Sequence, residues 1–163
     1  MSGILPAEFS LRLIATDLTV RETLSVLRAR FVAQNVPEDV CGSVELVLAE
    51  ALNNIVEHAY PPDRPGDILL ALSLTADRLR CTLRDRGVPL AGLTLPDGGR
   101  PDPEVARDAL PEGGFGWYLI RDLSDHLSYA RTAEENVLTL DFILVRGGDP
   151  AAAQMPKSDR NPI

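Results

Sequence analysis

At 163 residues the chain has the length of one domain with room for a real core. Its 45% apolar and 25% charged residues are ordinary globular usage, which excludes wholesale disorder. A formal net charge of −8 repels phosphate backbones, so no direct contact with nucleic acid is expected and any regulatory role runs through protein partners.

Phe9 to Ile14 alternates apolar and polar side chains and predicts a first strand. Thr19-Val20-Arg21-Glu22 has the form of a capping box. Val20, Leu24, Leu27 and Phe31 then recur at helical spacing, predicting a helix to about Gln34. Asn35-Val36-Pro37 breaks it, and Pro37 suits the first turn of a second helix that runs to about Tyr60, before Pro61-Pro62. Asp67 to Asp85 reads as a hairpin with its turn near Thr75-Ala76-Asp77-Arg78. Gly87 to Gly113 is rich in Gly, Pro and Asp, with a short helical stretch around Glu104 to Leu110. It reads as a long, mobile lid with few large apolar anchors. Gly114 to about Asp125 predicts a third helix, and Leu127–Arg131 with Val137–Leu144 a second hairpin around Glu134-Glu135-Asn136. The expected organisation is one domain over 1–145 and a flexible tail over 146–163. Strands that pair locally while helices cluster favour an α+β, two-layer sandwich on a mostly antiparallel mixed sheet with three main helices, not a Rossmann fold.

Cys41 and Cys81 stand alone, without a CxxC, and with only His58 and His126 they offer neither a zinc site nor a disulfide framework. The first residues lack the cationic start and apolar core of a signal peptide, and no apolar run approaches a membrane span, so a cytoplasmic protein is expected. Lys157 is the only lysine, and no P-loop is present.

Three islands stand out. On the second helix Val44, Val47, Leu48, Ala51, Leu52, Ile55 and Ala59 form one apolar stripe, with Glu50 and Asn54 one turn apart along its edge. That pair reads either as boundary polarity or as a carboxylate and a carboxamide facing a cleft. His58 continues their face and reads as a packed or capping residue. At the end of the second strand, Asp85 shares the inward face of Leu79, Cys81 and Leu83, immediately before Arg86-Gly87. It is either a frayed strand end or an acceptor turned into an apolar pocket, where it suits the amino group of adenine. In Gly114-Phe115-Gly116 the glycines allow close backbone approach at a helix start, where free amides bind anions. The other reading is a plain hinge.

The order of these islands resembles the GHKL ATPase superfamily, and within it the anti-sigma-factor serine kinases, from about Leu11 to Leu144. Glu50-Ala51-Leu52-Asn53-Asn54 is similar to that family's N-box, Asp85-Arg86-Gly87 to its G1 box and Gly114-Phe115-Gly116 to its G2 box. The resemblance implies ATP and Mg²⁺ as cofactors. It makes Asn54 the metal ligand, Glu50 the general base, Asp85 with Gly87 the adenine reader, and Gly114 and Gly116 the phosphate turn. Phe115 stands where some relatives carry arginine, with Arg100 and Arg107 as substitutes, and Val88-Pro89 where some superfamily members carry another glycine. The partners implied are a sigma factor and an anti-sigma-factor antagonist bearing the target serine, and homodimerisation is implied too. The alternative is a nucleotide-binding partner switch that sequesters its partners without phosphorylating them.

Overall fold

The structure, a computed structural model, describes residues 6–99 and 114–144. Five strands, β1 (Ala7–Ile14), β2 (Asp67–Leu74), β3 (Arg78–Asp85), β4 (His126–Thr132) and β5 (Glu135–Ile143), form one sheet in the order β1-β2-β3-β5-β4. Every pairing is antiparallel, so the mixed character expected for the sheet is absent among the described strands. Three helices, α1 (Asp17–Ala33), α2 (Glu38–His58) and α3 (Gly114–Leu123), accompany it.

The sheet is covered on one face, and the period-2 pattern says which. In β2, Ile68, Leu70, Leu72 and Leu74 are buried, and in β3 so are Leu79, Cys81, Leu83 and Asp85. Helix α2 supplies the facing stripe, with Val44, Val47, Leu48 and Leu52 fully buried. Each such aliphatic side chain contributes about 1.5–3 kcal/mol by leaving water. α2 lies between α1 and α3 and packs on both. The α1–α2 pair returns the chain to the end of the sheet it left, where Ile14 pairs with Asp67 and Ala15 N–H donates to Gly66 O.

Two boundaries differ from the sequence reading. α1 starts one turn earlier, because Thr16 is the extended N-cap and its hydroxyl accepts from Thr19 N–H at 3.3 Å. The threonine expected to cap therefore lies in the first turn, beside the dipole-favourable Asp17. α2 ends at His58, whose side chain is 62% exposed beside Glu57 and packs against no core. Pro37 stands just before the helix as its N-cap and makes no side-chain cap. Both cysteines are free and buried, and burial pushes both thiols up from their ordinary range. No helix among the described residues is long and apolar enough to cross a membrane.

Candidate functional site

Three elements converge on one cleft: the middle of α2, the end of β3 and the start of α3. Asn54 and Asp85 line a common cavity of about 50 Å³, walled by Ala51, Ile55, Val88, Leu90, Trp117, Tyr129, Asn136 and Leu138. That volume holds one or two waters, against the roughly 300–1,000 Å³ of small-molecule sites. A purine therefore enters only if the wall from Val88 to Leu90 or the Trp117 side gives way.

Asp85 is 5% exposed and turned inward, as alternation along β3 requires. Its Oδ1 accepts from Gly87 N–H at 2.9 Å and from Asn136 Nδ2 at 2.8 Å. Both bonds fall on one oxygen, and among the described residues Oδ2 has no protein donor. Burial pushes the carboxyl up from its ordinary range, while the Asn136 and Gly87 donors and the Arg131 charge pull it back. Gly87 is required by close packing: a Cβ there would stand 2.3 Å from Ala59 O, at the end of α2. Val88 N–H donates to that same carbonyl at 2.7 Å, which welds the strand end to the helix end.

One turn before Asn54 on α2, Glu50 sits against Gly116. A Cβ on Gly116 would lie 2.6 Å from Glu50 Oε2, so glycine leaves the carboxylate its space beside the first turn of α3. Gly114 is the first residue of that helix. Phe115 is half exposed and its ring lies 6.3 Å from that of Tyr118. Asn54 carries a buried amide nitrogen with no hydrogen-bond partner, the one such side-chain atom among the described residues. An orphaned buried donor of this kind costs about 1–3 kcal/mol, and a carboxamide turns over readily to present its oxygen instead. No cluster of three or more His, Cys, Asp or Glu among the described residues forms a metal cage. Magnesium needs none: it takes few protein oxygens and completes its shell with phosphate and water. The residues present fit that group.

Sequence reasoning missed Asn136, Tyr129 and Arg131, which surround Asp85 from β4 and β5. The described part of the lid, residues 87–99, is also better anchored than its composition predicts. Leu90 and Leu95 pack on the core, Leu90 N–H donates to Tyr129 Oη, and Arg121 donates to Pro96 O at 2.7 and 2.9 Å. Gly98 adopts φ +58, with its Cβ position 2.8 Å from the Trp117 backbone. Arg100, Arg107 and the helical stretch expected at Glu104–Leu110 lie outside the described residues, as does the tail from 146.

A one-faced antiparallel sheet under three helices is the architecture of a histidine kinase-like ATPase domain. Residues 13–142 match the family model described as histidine kinase-like ATPase domain. Among curated proteins, the serine-protein kinase RsbW of Bacillus mycoides (strain KBAB4) is 32% identical over 121 residues, 74% of this chain and 70% of that protein. The RsbW of Bacillus cereus (strain G9842) is 31% identical over the same shares. In the crystal structure of the RsbU and RsbW domains of Rv1364c from Mycobacterium tuberculosis, the fold superposes with a TM-score of 0.61 at 19% identity. That match covers 86% of this chain and 33% of the other, so this chain spans a third of its length. The chain belongs to the histidine kinase-like ATPase family, on its branch of anti-sigma serine kinases.

Proposed function

We propose that the protein is an ATP-dependent serine/threonine kinase that phosphorylates a small anti-sigma-factor antagonist and alternates between that antagonist and a sigma factor, in the cytoplasm. The observation that carries this reading is the position of Glu50. It lies one helical turn before Asn54, with its carboxylate against Gly116 at the start of α3. Asp85 reads the adenine amino group through its uncommitted Oδ2. Gly87 keeps the strand end beside Asp85 packed on the end of α2. The amides at Gly114 and Gly116 meet phosphate at the α3 N-terminus. Asn54 would hold magnesium through its carboxamide oxygen, and the metal would supply charge neutralisation at the phosphates. Glu50 takes the proton of the attacking serine hydroxyl.

The test is transfer of label from γ-labelled ATP to the antagonist. Glu50→Gln keeps size and hydrogen bonding, so it should bind ATP as the wild type does while transfer falls by about 10²–10⁴-fold. Equal labelling by both proteins would remove Glu50 from the chemistry and leave kinase activity standing. Wild type that binds ATP and both partners but labels neither selects the non-catalytic partner switch, the reading that Phe115 in place of arginine favours.

A further inference from the structure

Asn136 is 5% exposed and lies directly across from Asp85 in the β3–β5 register. Its carboxamide has one permitted orientation. Arg131 Nη1 reaches Oδ1 at 3.0 Å and can only donate, so that atom is the oxygen. Tyr129 Oη donates to the same oxygen at 2.7 Å. The nitrogen is thereby turned toward Asp85 Oδ1 at 2.8 Å and toward the carbonyls of Val88 and Gly87 at 3.2 and 3.3 Å. Arg131 also donates to Gly87 O at 3.0 Å, and Tyr129 Oη accepts from Leu90 N–H at 3.1 Å. Polar atoms of four residues between Asp85 and Leu90 are thus held by three side chains of the β4–β5 hairpin.

The chemistry of this arrangement is directional. A fixed NH₂ group facing Asp85 Oδ1 accepts no proton from it, so that oxygen is committed as an acceptor. The carboxyl plane is set as well, at a residue that lines the cavity. We infer that Tyr129, Arg131 and Asn136 are positioning residues for base selection: they hold Asp85 as an acceptor for a 6-amino purine, against a 6-oxo purine, and clamp the root of the lid beside it. The inference rests on the nucleotide reading above and deepens it. It adds three residues that act through Asp85.

The experiment measures affinities of the full chain for Mg·ATP and Mg·GTP by calorimetric titration, in wild type, Tyr129→Phe and Asn136→Leu. A purely structural loss weakens both nucleotides alike and leaves their ratio unchanged. Loss of the positioning role lowers the ATP-to-GTP ratio, by about three- to tenfold for Tyr129→Phe, which deletes one hydroxyl. For Asn136→Leu, which strips Asp85 of a buried donor, the expected fall is about ten- to hundredfold. Tyr129→Phe keeps the ring and its packing, so it serves where Asn136→Leu fails to fold. A wild type that binds neither nucleotide overturns the nucleotide reading and this inference with it. A wild type that prefers ATP, with that preference undiminished in the folded variants, overturns the inference alone.

Discussion

Asp85 and Asp141 lie on opposite faces of the same sheet, 5% and 4% exposed, and they are held in contrasting ways. Asp141 is forked by Arg80, whose Nε and Nη2 meet its two oxygens at 2.7 and 2.9 Å, with Arg78 beside it. The Arg80 hydrogen bonds and charge hold its carboxyl below the ordinary range against the opposing effect of burial. Asp85 has neutral donors on a single oxygen, and burial holds its carboxyl above that range. One carboxylate is saturated by cationic partners and serves the sheet. The other keeps an acceptor in reserve, inside an apolar wall. Burial alone does not mark a functional group; an unspent hydrogen-bonding capacity does.

The contrast is broken most directly at Asp85. Asp85→Asn retains an oxygen for Asn136 and Gly87 but puts an NH₂ group where Oδ2 stood. ATP affinity should fall by about ten- to hundredfold, with the preference over GTP reduced or reversed. The melting temperature should hold or rise, since a buried ionised group has gone. Calorimetric titration beside a thermal melt checks both; undiminished ATP binding would take Asp85 out of the site.

Asp141→Asn should behave in the opposite sense. It gives up the fork with Arg80 and should lower unfolding stability by about 1–2 kcal/mol, kept modest because Arg80 is half exposed and can turn to water. ATP affinity should not change. Urea unfolding measures the first expectation, and a loss of ATP binding without loss of fold would contradict the second.

Acidification gives the smallest and sharpest separation. Asp85 has a raised folded pKa, so its ionised form disfavours the fold and protonation relieves that cost while removing the adenine acceptor. Asp141 has a lowered folded pKa, so its contribution is present above the unfolded value near 3.9 and is lost as pH falls through the lower folded one. ATP affinity should therefore decline between neutral pH and about pH 4, before the Asp141 contribution fades. Affinity and melting temperature followed together across that range test it; a parallel decline of both would mean the two carboxylates titrate alike.

Much of this was legible in the sequence because period and position are local properties. The stripe from Val44 to Ala59 and the inward turn of Asp85 both follow from periodicity, and both are buried where they should be. Asn136 was hidden because Glu134-Glu135-Asn136 reads as a turn, whereas β5 begins at Glu135 and puts Asn136 opposite a residue 51 positions earlier. Cross-strand register at that distance leaves no local signal. The anchoring of the lid was hidden for a related reason: Arg121 holds Pro96 through a backbone carbonyl, which every residue possesses. The cap of α1 was misplaced because Thr16 has no acid three residues on to complete the motif, while Thr19 has Glu22.

Trp117 is the only tryptophan of the chain, 7% exposed, and it forms part of the cavity wall between Asn54 and Asp85. An indole in that place senses whatever enters. The protein thus carries an intrinsic fluorophore in the wall of that cavity, and its emission should report filling of the cleft without any attached label.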